Sequence, residues 1–323
     1  MRAIEQDTYG SAEVLRLARV ARPHIAEDEV LVKVRAAGLD RGTWHMMAGQ
    51  PYLLRVLGFG FRAPKNRVPG LDVAGAVVAV GSAVTRFSTG DEVFGISRGS
   101  FAEYAAVRED KLARKPANLT FDQAAVVPIS AGTALQALTD VGKVGRGQRV
   151  LIIGASGGVG SYAVQLARAF EAEVTGVCST SKLDFVRSLG ADHVLDYTSE
   201  DFVDGTHRYD LILDIAGNAP LSRLRRALTP SGTLVIVGGE GGGRWTGGFG
   251  RSLRAPLVSP FVPQRLTMLA SKERASDQER LTTLIEAGRV KPSVDSTYPL
   301  HRVPEAMRHL ETGAVRGKVV ITI

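Results

Sequence analysis

The stretch LIIGASGGVGSYAVQLARAF, residues 151–170, runs from an apolar segment through a glycine turn into a helical pattern. A dinucleotide site needs these three parts in this order, because the free N–H groups and the dipole of the helix N-terminus face the pyrophosphate. Ala155 stands where the usual G-x-G-x-x-G fingerprint has its first glycine, so the fingerprint is imperfect. The predicted cofactor-binding residues of the turn are Ala155, Ser156, Gly157, Gly158, Val159 and Gly160.

Strands and helices alternate from residue 149 onward, starting with the strand that enters this turn. Their order is typical of a parallel sheet with crossover helices. Strand patterns cover 149–153, 173–177, 192–195, 209–213 and 232–238, and helical patterns cover 158–170, 181–189 and 219–228. A strand-to-helix turn that binds nothing is the alternative, but a glycine run among this many alternating elements favours a dinucleotide-binding domain.

The first 118 residues predict a different kind of domain. EVLVKVRAAGLD (29–40) and AGAVVAVGSAV (74–84) have the β-branched content and the near-alternation of strands, with turn signals between them. Closely spaced strands favour a small barrel-like β domain. Because single cores stop growing before 323 residues, we expect two domains.

The end of the second strand of the alternating region indicates which nucleotide is bound. NAD-specific sites place an acidic residue there for the ribose hydroxyls. In VTGVCSTSKLDF that position lies near Cys178, and hydroxyls and one ammonium follow it. These groups could bind a 2′-phosphate, and no carboxylate stands at that position to repel it, so the sequence predicts NADPH. The predicted contacts are Ser179, Thr180, Lys182 and Tyr197, although Ser179 could instead cap the next helix.

Composition limits the class of protein. Hydrophobic residues make up 44% and charged residues 23%, and no run of roughly 18 apolar residues or signal-peptide pattern occurs, so we expect a cytoplasmic protein without a membrane partner. The single cysteine, Cys178, excludes an internal disulfide and an all-cysteine metal site. The net charge of +7 fits either a nucleic-acid surface or attraction of an anionic cofactor, and the scattered arginines favour the second.

Residues 239–264 interrupt the alternation. Eight of the thirteen residues from 238 to 250 are glycine, which argues against a stable helix there and for a flexible loop. RSLRAPLVSPFVPQ (251–264) fits either a surface excursion with a short helix or a lid or subunit contact near a ligand.

Three motifs and the C-terminal segment resemble one known family. They are VPGLDVAGAVVAVGSAVTRFSTGDEVFG (68–95), IIGASGGVGSYAVQLA (152–167), LGADHVLDY (189–197) and the ending GKVVI (317–321). On these motifs the chain resembles the zinc-free, zeta-crystallin-like quinone oxidoreductase branch of the medium-chain dehydrogenase/reductase superfamily. The resemblance implies a GroES-like β-barrel domain (1–119 and 272–323), a doubly wound Rossmann domain (120–271), a cleft at their junction and a homodimer.

The same resemblance bears on metal chemistry. The places that hold catalytic zinc ligands in zinc-dependent relatives are here Asp40, Leu71 and an apolar run near Val127. Because zinc needs about three nitrogen, sulfur or oxygen ligands and leucine supplies none, we expect no metal. Without a metal to polarise a carbonyl, the expected acceptor is a quinone or an α,β-unsaturated carbonyl, whose developing oxygen charge must be stabilised and protonated.

The resemblance also suggests site residues. Tyr52 lies near the place where related enoyl reductases have a proton-donating tyrosine, although it could simply pack against the adjacent apolar loop. Asp40 lies in the segment that faces the nicotinamide in relatives. The proton could also come from water, in which case no single residue would be essential. The further cofactor contacts that the resemblance implies are Thr133, Ala216, Gly217, Gly238 and Gly239.

Two other functions remain open from the sequence. One is a metal-free alcohol or aldehyde dehydrogenase, which the missing zinc ligands disfavour. The other is an NADPH-binding sensor or interaction protein with little turnover, whose partner could be nucleic acid given the positive charge. The sequence favours an NADPH-dependent reductase of quinones or enones.

Overall fold

The computed structural model describes residues 1–239 and 243–323. Its backbone divides into two compact units. Unit 1 contains Met1–Gly132, Glu273–Gly288 and Pro292–Ile323, and unit 2 contains Thr133–Lys272 and Arg289–Lys291. The chain therefore builds most of the first unit, then the second, and returns to the first before its end.

The strands and helices follow in chain order. The strands are β1 (Arg2–Glu5), β2 (Arg16–Arg19), β3 (Glu29–Leu39), β4 (Asp72–Val80), β5 (Glu92–Ile96), β6 (Tyr104–Arg108), β7 (Leu112–Arg114), β8 (Arg149–Ile153), β9 (Glu173–Cys178), β10 (His193–Asp196), β11 (Tyr209–Asp214), β12 (Leu228–Ile236), β13 (Arg265–Met268), β14 (Val294–Pro299) and β15 (Lys318–Thr322). The helices are α1 (Arg41–Ala48), α2 (Tyr52–Leu54), α3 (Phe121–Ala124), α4 (Pro128–Gln136), α5 (Gly158–Ala169), α6 (Leu183–Ser188), α7 (Leu221–Ala227), α8 (Phe249–Val258), α9 (Ala275–Glu286) and α10 (Val303–Glu311).

The main sheet of unit 1 is largely antiparallel. Its strands are ordered β14-β15-β3-β4-β5-β7, and β6 pairs with β3 outside this path. Along β3, Val32 and Val34 are buried while Lys33 and Arg35 are exposed, because successive side chains of a strand point to opposite faces. The buried valines pack with Phe87 and neighbouring apolar side chains in one core cluster. This sheet is the β domain that the early strand patterns predicted.

The sheet of unit 2 is parallel. Its strands are ordered β10-β9-β8-β11-β12-β13, and all neighbouring pairs run in the same direction. Residues 150–153 of β8 are all buried, as expected for a central strand with both faces covered. The chain moves outward from β8 to β10 and then returns to β11 on the other side of β8. This reversal is the topological switch point at which doubly wound sheets bind ligands, so the predicted fold class is confirmed.

The division into units differs from the domain boundary at 119/120 expected from the sequence, because residues 120–132 lie in unit 1. The N–H of Ile129 donates to Asp72 Oδ1 at 2.8 Å, and Gln278 Nε2 donates to the Pro128 carbonyl at 3.3 Å. These bonds attach the beginning of α4 to unit 1. Both partners are distant in sequence, so no local pattern could reveal them.

The segment 239–264 contains a regular helix. Residues 240–242 of this segment lie outside the described residues. Helix α8 begins at Phe249, inside the stretch whose glycine content argued against a helix, and a 3₁₀ turn at Ser259–Phe261 leads into β13. The role of the segment as a lid or a subunit contact stays a prediction. Over residues 1–239 and 243–323, no helix is both long and apolar enough to cross a membrane.

Candidate dinucleotide-binding and active site

The turn after β8 is shaped by two glycines. Gly154 has φ +89°, a left-handed conformation that favours glycine, and a Cβ there would lie 2.8 Å from the Cβ of Ala216. A Cβ on Gly160 would lie 2.0 Å from the Gly154 carbonyl oxygen. The turn can therefore bring α5 close to the end of β8 only with glycine at both positions. The sequence reasoning missed Gly154, although its place directly after the apolar strand was the available signal.

The N-terminus of α5 offers backbone donors. Gly157 is its N-cap and has extended backbone, and no side chain caps the helix. Ala155 and Ser156 are buried, while Gly157 and Val159 are half-buried beside them. The first N–H groups of an α-helix have no intrahelical acceptor and carry the positive end of the dipole. The predicted turn, Gly158 and Gly160 included, thus has the form of an anion site.

The turn after β11 meets this turn at the switch point. The N–H groups of Ile215 and Ala216 donate to the Ile153 carbonyl at 3.1 and 3.4 Å. Gly238 follows β12, and its N–H donates to the Asp214 carbonyl at 3.3 Å. The structure therefore brings the predicted residues Ala216 and Gly238 to the same edge of the sheet as the glycine turn.

Two further predicted contacts lie in unit 2. Gly239 lies against α8, because a Cβ there would be 3.3 Å from Gly248 Cα and 2.9 Å from Arg251 Nη2. Thr133 is half-buried on α4, directly after the last residue of this helix that belongs to unit 1. A nicotinamide contact by Thr133 stays a prediction.

The end of β9 holds a carboxylate that the sequence reasoning missed. Thr180 Oγ1 donates to Asp196 Oδ2 at 2.5 Å, and the N–H and Oγ1 of Thr198 donate to Asp196 Oδ1 at 2.9 and 2.7 Å. These hydrogen bonds lower the pKa of Asp196. Asp196 ends β10, and the parallel register pairs it with Cys178. The expectation that no carboxylate lies here considered only the β9 segment, whereas the neighbouring strand supplies one.

The other groups at this strand end are arranged as follows. Ser179 precedes the 3₁₀ turn Thr180–Lys182 and makes no capping hydrogen bond with its side chain. Burial and the charge of Asp196 raise the pKa of the Cys178 thiol, whereas the charges of Lys182 and Arg187 oppose this increase. Tyr197 is 64% exposed, and its N–H donates to the Cys178 carbonyl at 3.1 Å. Hydroxyl and carboxylate groups therefore lie at the end of β9, and Lys182 belongs to the 3₁₀ turn that follows it.

In unit 1, Asp40 has a clear structural role. It is the N-cap of α1, and its Oδ1 accepts hydrogen bonds from Thr43 N at 2.8 Å and Thr43 Oγ1 at 3.2 Å. Its Oδ2 lies 3.9 Å from Lys318 Nζ and has no hydrogen-bond partner among the described residues. Its predicted catalytic role is untested, and its contacts are those of a helix cap beside a buried cation.

Lys318 is the centre of a buried polar cluster that the sequence reasoning missed. Its Nζ donates to Asp72 Oδ2 at 3.1 Å and to Ser130 Oγ at 3.0 Å. The side chains of Lys318 and Asp72 are 2% and 0% exposed. Burial raises the pKa of Asp72 to about 6, although the Lys318 ammonium opposes the shift. Because Asp72 also accepts from Ile129 N, this cluster fixes the first turn of α4.

Tyr52 is the first residue of α2 and is half-buried. The guanidinium carbon of Arg55 lies 4.6 Å from the centre of its ring and 4.3 Å from that of Tyr9. An arginine over an aromatic face is an attractive cation–π contact. The ring of Tyr52 thus has a cationic partner, and both its packing against the apolar loop and its proton-donor role stay predictions.

The positions that hold the catalytic zinc ligands in zinc-dependent relatives offer few donor atoms in this chain. Asp40 offers one carboxylate that already caps a helix, and Leu71 has no donor atom. Within residues 1–239 and 243–323, no group of three histidine, cysteine, aspartate or glutamate side chains could hold a metal ion. A catalytic zinc needs about three such ligands, so this donor set does not fit one.

The parallel sheet, the glycine turn at its switch point and the helix N-terminus without a side-chain cap define a class of dinucleotide-binding proteins. The sequence matches the alcohol dehydrogenase GroES-like domain over residues 26–117 and the zinc-binding dehydrogenase family over 189–321. It is 36% identical to a 2-methylene-furan-3-one reductase of Solanum lycopersicum, over 99% of this chain and 79% of that protein. It is 35% identical to a chloroplastic NADPH-dependent alkenal/one oxidoreductase of Arabidopsis thaliana, over the same shares of the two chains.

A solved structure gives the same relationship. The quinone oxidoreductase from Coxiella burnetii superposes with a TM-score of 0.89 at 28% identity, over 100% of this chain and 99% of that one. The chain belongs to the medium-chain dehydrogenase/reductase superfamily, in its quinone oxidoreductase branch. It is an oxidoreductase with a nicotinamide cofactor, as the glycine turn and the family motifs predicted.

Proposed function

We propose that this protein is an NADPH-dependent, zinc-independent reductase of quinones or α,β-unsaturated carbonyls. The observation that carries the proposal is the glycine turn of Gly154 and Gly160, which opens α5 at the switch point of the parallel sheet. The relatives named above are a methylene-furanone reductase, an alkenal/one oxidoreductase and a quinone oxidoreductase. A methylene-furanone and a quinone conjugate a carbon–carbon double bond with a carbonyl, and so does an alkenal whose double bond is next to its carbonyl.

The residues present fit a dinucleotide. The N–H groups at the start of α5 would bind its pyrophosphate, and the turns at Ala216 and Gly238 would contact its nicotinamide half. When bound, the cofactor supplies a hydride. Ser179 and Lys182 would hold the 2′-phosphate, because an ammonium and a hydroxyl both donate to phosphate oxygens.

One group opposes the preference for NADPH, the cofactor with a 2′-phosphate, over NADH. The carboxylate of Asp196 lies at the same strand end and would repel a 2′-phosphate. Three donor hydrogen bonds satisfy it, and its side chain is buried, so we expect it to reduce rather than reverse the preference for NADPH. NADH is therefore the second cofactor to test.

The proton donor completes the proposal. After hydride addition to a conjugated acceptor, the charge on the substrate oxygen must be stabilised and a proton must be delivered. Tyr52 is the candidate donor, and water is the alternative.

We further propose that the protein is a cytoplasmic homodimer that binds no nucleic acid, since a basic protein of this kind can use its charge to attract an anionic cofactor.

The decisive experiment measures oxidation of NADPH and NADH by protein treated with a chelator, against one panel of quinones and one of short enones. Turnover with NADPH and at least one panel, unchanged by added zinc, supports the proposal. Full dependence on zinc would refute the metal-free part. Binding of NADPH without reduction of any acceptor would refute the reductase and favour a sensor role.

Tyr52→Phe keeps the ring and removes the hydroxyl. If Tyr52 donates the proton, kcat falls by about tenfold to a hundredfold, while affinity for NADPH is unchanged. Tyr104→Phe is the matched control, because Tyr104 lies in β6 with its ring against Arg22. Equal kcat for Tyr52→Phe and the parent would assign the proton to water.

A further inference from the structure

Arg251 of α8 holds the turn that follows β11. Its Nη1 donates to Asp214 Oδ2 at 2.6 Å and to the Ala219 carbonyl at 2.9 Å, and its Nη2 donates to the Gly217 carbonyl. One guanidinium thus binds the residue that ends the strand and two carbonyls of the following turn. The planar fork of arginine suits several acceptors at fixed angles, which a lysine cannot match.

Asp214 is committed to the same turn. It is fully buried, and its Oδ1 accepts from Gly217 N at 2.9 Å. A Cβ on Gly217 would lie 2.2 Å from that oxygen, so the chain passes directly over the carboxylate. Burial raises the pKa of Asp214, and Arg251 opposes this increase. The turn is therefore built around one buried ion pair.

The turn that Arg251 and Asp214 hold lies next to the glycine turn after β8. Ala216 lies against Gly154 of the glycine turn, as the 2.8 Å separation of their Cβ positions shows. On the other side, a Cβ at Gly239 would lie 2.9 Å from Arg251 Nη2. Arg251 thus contacts the turn after β11 and the turn after β12, which follow neighbouring strands at the carboxyl edge of the sheet.

The sequence alone left open whether this segment is a surface excursion with a short helix or a lid or subunit contact near a ligand. In the structure Arg251 points inward, since its side chain is only 16% exposed and its charge faces Asp214. Arg254, on the same helix, is exposed. The two arginines therefore differ in position although they share charge and helix.

We infer that Arg251 is a positioning residue for the nicotinamide half of the cofactor. It holds the turns at 215–219 and 238–239 in the shape that receives the nicotinamide ribose, and it does not touch the adenosine half. This inference rests on the proposed function, because it needs a dinucleotide at the switch point.

The test compares two ligands on the same variants. NADPH engages both halves of the site, whereas adenosine 2′,5′-bisphosphate engages the adenosine half alone. In Arg251→Met we expect the Kd for NADPH to rise about tenfold or more, with a fall in kcat, and the Kd for adenosine 2′,5′-bisphosphate to stay within about twofold. Arg251→Lys should recover part of the loss, because it keeps a cation beside Asp214 but loses the fork.

Two further variants keep the test decisive. Arg254→Met removes the same charge from the same helix and should bind both ligands like the parent. Asp214→Asn/Arg251→Met removes both buried charges, so it should restore folding if the single variant is poorly folded, yet it should still bind NADPH weakly.

The inference is overturned if Arg251→Met binds NADPH with the parent affinity, or if it loses both ligands equally, which would indicate a general structural defect. Under either of these two outcomes the proposed function stands, provided that the parent protein binds adenosine 2′,5′-bisphosphate and NADPH. A parent that binds neither NADPH nor NADH would overturn the proposed function and the inference together.

Discussion

The ammonium of Lys318 lies 3.1 Å from Asp72 Oδ2, and the two side chains are 2% and 0% exposed. This pair joins the last strand of the chain to β4, and through the bond from Ile129 N to Asp72 it also holds the beginning of α4. A buried charge is tolerated only with a partner, so the pair links three distant segments of unit 1.

Lys318→Met should destabilise the protein strongly. The substitution leaves the Asp72 carboxylate buried without its cation, which costs about 3–5 kcal/mol in free energy of unfolding. Urea unfolding followed by circular dichroism measures the loss. Lys33→Met, at an exposed position of β3, should change the same quantity by less than about 0.5 kcal/mol. A Lys318→Met protein as stable as the parent would show that the pair contributes nothing.

The double variant Asp72→Asn/Lys318→Met refines this prediction. It removes both charges, so it should be more stable than Lys318→Met alone. Equal stability of the double and single variants would mean that the loss comes from packing of the lysine stem.

Asp72 should make the protein less stable as the pH rises through about 6, the opposite of the usual effect of an aspartate. Its pKa is raised to about 6, above the ordinary value for aspartate, so the native state binds the proton more tightly than the unfolded state. Its contribution to the free energy of unfolding is therefore full at about pH 4 and below and is lost as the pH rises through about 6.

The comparison with Asp72→Asn isolates this effect. The free energy of unfolding of the parent, taken relative to that of Asp72→Asn, should fall by roughly 1–3 kcal/mol between pH 4 and pH 7. Asp184→Asn, whose carboxylate is 98% exposed, should give a nearly constant difference. A constant difference for Asp72→Asn would place its pKa near the ordinary value.

Gly160→Ala should damage the dinucleotide site. The added methyl would lie 2.0 Å from the Gly154 carbonyl oxygen, so α5 must move away from the turn and its N–H groups lose their positions. We expect the Kd for NADPH, measured by fluorescence titration, to rise about tenfold or more. Gly145→Ala, whose methyl would lie 3.8 Å from its nearest neighbour, should bind NADPH normally. Normal binding by Gly160→Ala would place the pyrophosphate elsewhere.

Asp196→Asn should increase the preference for NADPH. The amide keeps an acceptor for Thr198 while removing the charge that opposes a 2′-phosphate. The ratio of kcat/KM for NADPH to that for NADH should rise about threefold to tenfold. Glu173→Gln removes a carboxylate at the opposite end of β9 and should leave the ratio unchanged. If Asp196→Asn also leaves it unchanged, the carboxylate does not act on the cofactor.

The sequence determined the parallel sheet, the glycine turn and the family. Strand and helix periodicity and the glycines after a strand are local properties, so they can be read along the chain. The element order from β8 to β12 followed from them, and so did the position of α5.

Only the tertiary structure decided the polar pairs. Thr180 meets Asp196 across 16 residues, Arg251 meets Asp214 across 37, and Lys318 meets Asp72 across 246. Each pair depends on the order of strands in a sheet or on the return of the C-terminal segment, which local patterns do not specify. Burial gives these pairs their strength, because a charged group removed from water requires a partner, and burial is a property of the folded chain.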